Sequence, residues 1–303
     1  MNRVKGRIIK GIGGFYYVET PGGVVTTRGR GNLKKSGDIL LVGDYVEVSI
    51  LNEEETEGVV EKALPRENSF VRPPIANVDL MTIVVSGEKP KVNVRLLDRF
   101  LCVSESKLIP SLICVNKTES SRGMKTFDML YGIYGKIYPM CSVSGKTGKG
   151  LDDLRREISG STVAFAGPSG VGKSTILNAI LGQNHMEVGE ISKKTSRGRH
   201  TTRHVELIEI KESKAENENI SKTWIFDTPG FTSLDLPDMS EANLRYLFPE
   251  LVKWGKECRF MDCQHIGEPE CSVLKAVEMG SISQSRYNSY KMFYEELSER
   301  KKF

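Results

Sequence analysis

The chain has 303 residues, of which 39% are hydrophobic and 27% charged, and it carries a net charge of +4. That length holds two or three domains with ample core, and the composition is ordinary for a soluble globular protein. The longest apolar runs are too short to cross a bilayer, Met1-Asn2-Arg3-Val4-Lys5-Gly6 carries no apolar signal region, and six cysteines in so long a chain do not make a disulfide scaffold. The expectation is a cytoplasmic, monomeric protein with no membrane segment.

Residues 1–66 read as five short strands, at 7–10, 15–18, 23–27, 45–48 and 57–60, punctuated by Gly, Pro, Asn and Asp. Five short strands suit a small barrel of the oligonucleotide-binding type, the OB-fold. Residues 1–37 hold eight basic residues against Glu19 alone, whereas residues 38–66 hold two basic and eight acidic ones. A basic face on such a barrel fits nucleic acid, and a solvated surface with acidic neighbours fits equally. Tyr16, Tyr17, Arg28 and Arg30 are the candidate contacts. Adjacent strand residues face opposite ways, so one of the two tyrosines belongs to the core.

Pro65-Arg66-Glu67-Asn68 and Arg72-Pro73-Pro74 mark a boundary. Beyond it, apolar runs at 79–85, 111–115, 137–142, 162–166, 205–210 and 223–226 read as strands, with a helical segment at 94–103 and another at 176–181. Near-continuous apolar strands alternating with helices predict a doubly wound α/β domain, closing near Leu236-Pro237. The remainder reads as helical, interrupted by a Cys/His cluster. The predicted domains are 1–68, 69–236 and 237–303.

Gly167, Pro168, Ser169, Gly170, Val171, Gly172, Lys173, Ser174 and Thr175 fit the phosphate-loop pattern G-x-x-x-x-G-K-[ST], between a predicted strand and a predicted helix. Backbone N–H groups, a helix N-terminus and the Lys173 charge converge on phosphate, and the Ser174 hydroxyl is expected to hold Mg²⁺. Asp227-Thr228-Pro229-Gly230 ends another strand. Asp227 suits outer-sphere Mg²⁺ coordination and the Gly230 N–H a γ-phosphate.

Asn116, Lys117, Thr118 and Glu119 stand as N-K-x-E where guanine-specific domains carry N-K-x-D. The carboxylate keeps its charge and acceptors but sits one methylene further out. It still favours guanine, because adenine offers an acceptor at N1 and lacks the 2-amino group. A surface turn without a ligand is the alternative. Ser144, Gly145 and Lys146 match the S-A-K loop, whose backbone N–H groups meet guanine O6.

Between these motifs, the stretch from Lys193 to His204 is basic. Thr201 or Thr202 could supply a hydroxyl to Mg²⁺, with Thr202 preferred; the same stretch could lie on a phosphate backbone or remain a solvated loop. Phe231 occupies the position where Ras-like enzymes use a glutamine to orient water, which predicts slow intrinsic turnover. His200 and His204 are candidates to orient the water, with structural or RNA-contacting roles as the alternative.

The guanine motifs at 116 and 144 precede the phosphate loop at 167, a circular permutation of the usual order. The chain therefore leaves this domain directly after its expected γ-phosphate sensor, which ties the C-terminal segment to the switch. That segment carries Cys258, Cys263, His265 and Cys271, a set suited to one tetrahedral structural Zn²⁺. Cys102, Cys114 and Cys141 lie in or beside apolar segments and read as core.

Together with Arg72-Pro73-Pro74-Ile75-Ala76-Asn77-Val78-Asp79, Gly198-Arg199-His200-Thr201-Thr202 and Asp227-Thr228-Pro229-Gly230-Phe231, these motifs make nearly the whole chain resemble the bacterial ribosome small-subunit-dependent GTPase A family. The resemblance implies an N-terminal OB-fold barrel, a circularly permuted P-loop GTPase domain and a C-terminal helical zinc-binding domain. It also implies GTP hydrolysis stimulated by the 30S subunit, contact with 16S rRNA and a role in late 30S maturation. Two readings compete: a nucleotide-gated RNA-binding factor whose hydrolysis is incidental, and a P-loop ATPase or small-molecule kinase.

Overall fold

A computed structural model of the protein describes residues 3–30, 39–52, 56–182, 205–210, 222–231 and 235–300, with 52 and 228–230 as backbone. The first strand, β1 (Arg3–Ile12), is long enough to serve two neighbours. Its first half pairs antiparallel with β4 (Tyr45–Asn52) and its second half with β2 (Phe15–Thr20), with the register slipping between Ile8 and Lys10. β3 (Gly23–Gly29) joins β2 to β5 (Glu57–Ala63), and β5 returns to β4, which closes a five-stranded barrel. Alternation along the strands sends Ile8, Val18, Val25, Val46, Val48 and Val60 inward. Tyr16 packs against this core, as one member of the tyrosine pair must.

A short hairpin, β6 (Ser69–Phe70) with β7 (Ile75–Ala76), connects barrel to central domain. There the sheet order is β10 (Met140–Ser142), β9 (Ser111–Asn116), β8 (Leu80–Ser86), β11 (Thr162–Ala166), β13 (Thr223–Phe231) and β12 (Glu206–Ile210). All neighbours are parallel except β12 and β13. β9 is buried at every position; Ile113 and Val115 enter one apolar cluster while Leu112 and Cys114 enter the other. Burial on both faces is why this strand reads as a continuous apolar run. The helices are α1 (Val94–Ser106), α2 (Ser121–Tyr134), α3 (Leu151–Ile158) and α4 (Lys173–Leu181). The strand predicted over 137–142 is shorter than expected. The N–H groups of Ile137 and Tyr138 turn back to the Tyr134 carbonyl at 2.8 and 2.9 Å, finishing α2 before β10 begins.

The strand order reverses between β8 and β11, and such switch points place ligands at the carboxyl ends of the strands. β1 of the barrel also bridges β12 at Lys10 and Glu206, so barrel and central sheet form one eleven-stranded sheet. Arg7, buried in this junction, donates to Thr162 Oγ1 at 2.8 Å and to the Asn77 carbonyl at 3.2 Å. Gly43 sits at φ +98°, and a Cβ there would lie 2.1 Å from the Ala76 carbonyl oxygen, so only glycine allows this approach.

The C-terminal segment comprises a 3-10 helix (Glu241–Leu247), α5 (Pro249–Gly255), α6 (Ser272–Glu278) and α7 (Gln284–Arg300). It packs on α1 through Phe248, Tyr290, Phe293 and Leu297, a cluster that includes Cys102 of α1. Within this contact Arg286, fully buried, donates to Asp98 at 2.8 Å and to both Glu250 oxygens at 2.7 and 3.1 Å. The Tyr134 hydroxyl donates to the same Asp98 oxygen, Oδ1, at 2.6 Å. A buried guanidinium is tolerable only with such partners.

Candidate nucleotide site and metal centre

The phosphate loop follows β11 at the switch point. Gly167, Gly170 and Gly172 take φ of +137°, +78° and +94°. Gly172 is the position before α4, and a Cβ there would come 2.3 Å from Asn116 Nδ2. The loop is therefore shaped by what touches it as much as by its own turns. Lys173 opens α4 and its Nζ donates to the Gly167 and Pro168 carbonyls at 2.5 and 2.8 Å. Burial pushes its ammonium down to about 8. Ser174 is half-buried beside it in the first turn.

Asn116, buried at the end of β9, joins three loops. Its Nδ2 donates to the Val171 carbonyl in the phosphate loop at 2.8 Å, and its Oδ1 accepts from Gly145 N at 3.0 Å. Lys117, at φ +65°, donates from Nζ to the Gly170 carbonyl at 2.8 Å and to the Lys89 carbonyl. Its stem thus spans from the N-K-x-E loop to the phosphate loop. Thr118 is buried, and its hydroxyl donates to the Val143 carbonyl at 2.9 Å, which fixes the loop's shape. Glu119 is exposed, next to Ser120, which caps α2 by accepting from Gly123 N at 3.0 Å. Ser144 is buried and its hydroxyl accepts from Thr147 N at 3.1 Å, while Lys146 is exposed.

One contributor escaped the sequence reading. The loop after β8 roofs this junction: Pro90 lies beside Gly170, Glu88 accepts from the Ser120 hydroxyl, and Lys89 receives Lys117. Its only sequence signal is the Lys89-Pro90-Lys91 turn after a buried strand.

On the other side of β11 the ladder advances from Ala164 opposite Phe226 to Ala166 opposite Phe231. Residues 227–230 therefore leave the β11 ladder at the end of the strand next to the phosphate loop. Gly167 N donates to the Phe231 carbonyl at 2.8 Å, closing this excursion. The Phe231 ring is buried, 1% exposed, and meets Phe70 edge-on at 5.0 Å. Asp227 lies opposite Glu206 across β12 and β13. Thr202, His200 and His204, with the rest of 183–204, lie outside the described residues.

Cys258, Cys263, His265 and Cys271 bring four ligand atoms within 4.8 Å of one another. Cys258 Sγ lies 3.8 Å from Cys271 Sγ, and His265 Nδ1 lies 3.6 Å from Cys258 Sγ and 3.4 Å from Cys271 Sγ. A tetrahedron with Zn–S of about 2.3 Å and Zn–N of about 2.0–2.1 Å requires S···S near ~3.8 Å and S···N near ~3.5 Å. The donor set fits one zinc ion. α7 supports it: Tyr287 and Tyr290 donate to the His265 and Gln264 carbonyls at 2.8 and 2.5 Å. Glu268 accepts from the N–H groups of Gln264, Ile266 and Gly267. Burial works against its charge, but those backbone donors hold its carboxyl below the usual range.

Of the candidate nucleic-acid contacts on the barrel, Arg28 stacks over the half-exposed Phe15 at 4.3 Å, whereas Arg30 is paired with Glu61. Arg259, ion-paired with Glu270, stands over the exposed Phe260 at 5.5 Å beside the metal centre. Neither phenylalanine stood out in the sequence, because exposure is not readable from a single aromatic.

A phosphate loop at the switch point, guanine-type loops that precede it in the chain, a closed barrel before them and a Cys3His centre after them define a circularly permuted P-loop GTPase with two accessory domains. Comparison with known proteins agrees. Residues 63–237 match the family model described as RsgA GTPase, and residues 5–60 match the RsgA N-terminal domain. The chain belongs to the RsgA GTPase family. It is 42% identical to the small ribosomal subunit biogenesis GTPase RsgA of Agathobacter rectalis, covering 98% of this chain and 99% of that one. It is 41% identical to the protein of the same name from Alkaliphilus metalliredigens, over 99% of both. Among solved structures, YjeQ from Thermotoga maritima aligns with a TM-score of 0.81 at 31% identity, over 98% of this chain and 99% of that one. YloQ, described as a circularly permuted GTPase, aligns with a TM-score of 0.78 at 33% identity, over 99% and 96%.

Proposed function

We propose that this protein is a GTPase that binds the 30S ribosomal subunit and hydrolyses GTP, slowly alone and faster on the subunit, during late small-subunit maturation. The observation that carries the nucleotide part is Asn116, whose single amide unites the two guanine-type loops with the phosphate loop. Asn116, Lys117 and Glu119 read the base, with the Gly145 backbone beside them. Residues 167–175 wrap the phosphates, and Lys173 supplies a charge that burial leaves ready to pair with them. Ser174 and Asp227, with Thr202, would hold Mg²⁺, which supplies charge neutralisation to the β- and γ-phosphate oxygens.

Phe231 is packed in the core and cannot orient an attacking water. That group comes from elsewhere, either His200 or His204 or the bound subunit, which accounts for stimulation. Cys258, Cys263, His265 and Cys271 would hold one structural zinc, ordering the loop that carries Arg259 and Phe260. Arg28 with Phe15 on the barrel and Arg259 with Phe260 offer stacking and charge to 16S rRNA. The working protein is a cytoplasmic monomer, divided into domains at 68 and 236. None of the described helices is long and apolar enough to cross a membrane.

Turnover of GTP titrated with 30S subunits tests the proposal: a saturable rise supports it. A flat titration favours the one alternative with an observation behind it, a nucleotide-gated RNA-binding factor, since the buried Phe231 leaves hydrolysis without an internal glutamine. Competition of labelled GDP by ADP tests the base assignment, and equal potency of ADP and GDP refutes it.

A further inference from the structure

The segment 227–230 is flanked by two aromatics, Phe226 and Phe231, each 1% exposed. Both are held by the N-terminal part of the chain rather than by the central domain alone. On the near side, Gly43 leads into β4 and approaches the Phe226 ring so closely that a Cβ on it would lie 3.0 Å from Phe226 Cζ. On the far side, the Phe231 ring meets the Phe70 ring at 5.0 Å with the planes 83° apart, the edge-to-face geometry that aromatic quadrupoles favour. Phe70 belongs to the β6–β7 hairpin, and β7 is bridged to the barrel at Ile75 and Val42. Lys107 of the central domain lies over the Phe70 ring at 4.9 Å.

A third contact lies at the start of the excursion. Asp227 is opposite Glu206, and like charges directly opposite in a ladder repel. Barrel residue Lys10 reaches Glu206 at 2.8 Å and offsets that repulsion.

We infer that the barrel and its hairpin are the clamp of the γ-phosphate sensor, and that Phe70 is a positioning residue for GTP over GDP acting through Phe231. This rests on residues 227–230 being that sensor. The clamp grips a four-residue segment at both ends and leaves its middle to respond to phosphate. Linkage then makes the clamp reciprocal: whatever shifts the barrel against the central sheet shifts the preference between the two nucleotides by the same factor.

The test is the affinity of the full-length, zinc-loaded protein for GDP and for a non-hydrolysable GTP analogue, both with Mg²⁺. Phe70→Ala and the milder Phe70→Leu are compared with Val60→Ala, which empties a core position on β5, a strand paired only within the barrel, and with Asp227→Asn. Phe70→Ala is expected to weaken the analogue about tenfold while GDP changes less than about twofold, with Phe70→Leu intermediate and Val60→Ala leaving the ratio unchanged. Equal losses for both nucleotides in the Phe70 variants, or the same ratio change in Val60→Ala, would mean a merely structural role and overturn the inference. If Asp227→Asn leaves the wild-type preference intact, the sensor assignment itself fails and takes this inference with it.

Discussion

The barrel and the C-terminal domain are fastened to the same central sheet by different chemistry and at different places. The C-terminal domain sits on α1 through a continuous apolar cluster enclosing a fully buried arginine with two carboxylates. The barrel joins through one strand bridge, the buried Arg7, an apolar cluster running from Ile8 and Val42 through Phe70 to Phe231, and an ion pair whose side chains stay partly in water, Lys10 at 31% and Glu206 at 40% exposed. Exposed pairs are individually weak, whereas breaking a buried one is costly. The barrel attachment lies on β12 and β13, beside residues 227–230, the proposed γ-phosphate sensor, and the C-terminal one lies on a helix away from it. The order of motifs in the chain pointed to the zinc-bearing segment as the part tied to the switch. The folded chain anchors that segment on α1 and sets Gly43 and Phe70 against Phe226 and Phe231, on either side of residues 227–230.

The comparison can be broken most severely at the metal centre. Chelation, or Cys263→Ser, should unfold the 258–271 loop, since binding energy of a structural zinc is about 10–16 kcal/mol of folding energy in small domains. Hydrogen exchange should then rise in α6 and α7 and stay unchanged in the barrel; a response spread over both would deny that they are fastened separately. Next in size is Asp98→Ala, which leaves the Arg286 charge with Glu250 alone and should cost about 3–5 kcal/mol in denaturant unfolding. Within the body between the two attachments, Asn116→Ala removes both amide ties. It should cost about 2–3 kcal/mol, or roughly 30- to 150-fold in GDP affinity, measured by titration.

Lys173 gives a pH prediction. Its pKa falls from 10.5 to about 8 on burial, so the unfolded chain binds more protons between those values. The cost of burying its charge is therefore full below pH 8, and stability rises as the pH climbs through the window. Bound phosphates reverse the shift, so nucleotide binding near about pH 9 should take up a fraction of a proton. Calorimetry in buffers of different ionisation enthalpy measures this, and no uptake would contradict it. Smallest is Lys10→Ala, expected to change stability by less than about 1 kcal/mol, against the several lost at Asp98.

Much of this was readable in the sequence because it is written in local patterns. The buried run at β9, the glycines of the phosphate loop, the order of the motifs and the spacing of Cys258, Cys263, His265 and Cys271 each need only nearby residues. What stayed hidden depends on pairs distant in the chain. Arg7, Arg286 and Asp98 are all buried, yet as single letters they read like surface charges. The partner of Phe231 lies in the β6–β7 hairpin, and nothing local to either ring announces the other. The overlong strand at 137–142 failed for a different reason: apolar residues that close a helix look like the start of a strand until the backbone hydrogen bonds are seen.

The central claim, that the barrel rather than the C-terminal domain follows the nucleotide, can be tested in one hydrogen-exchange comparison of the GDP and GTP-analogue forms of the full chain. Protection should change in β12, in β13, in the β6–β7 hairpin and along the barrel edge at β1, and remain the same in α1 and α7. A change concentrated in α1 and α7, with the barrel junction silent, would contradict it.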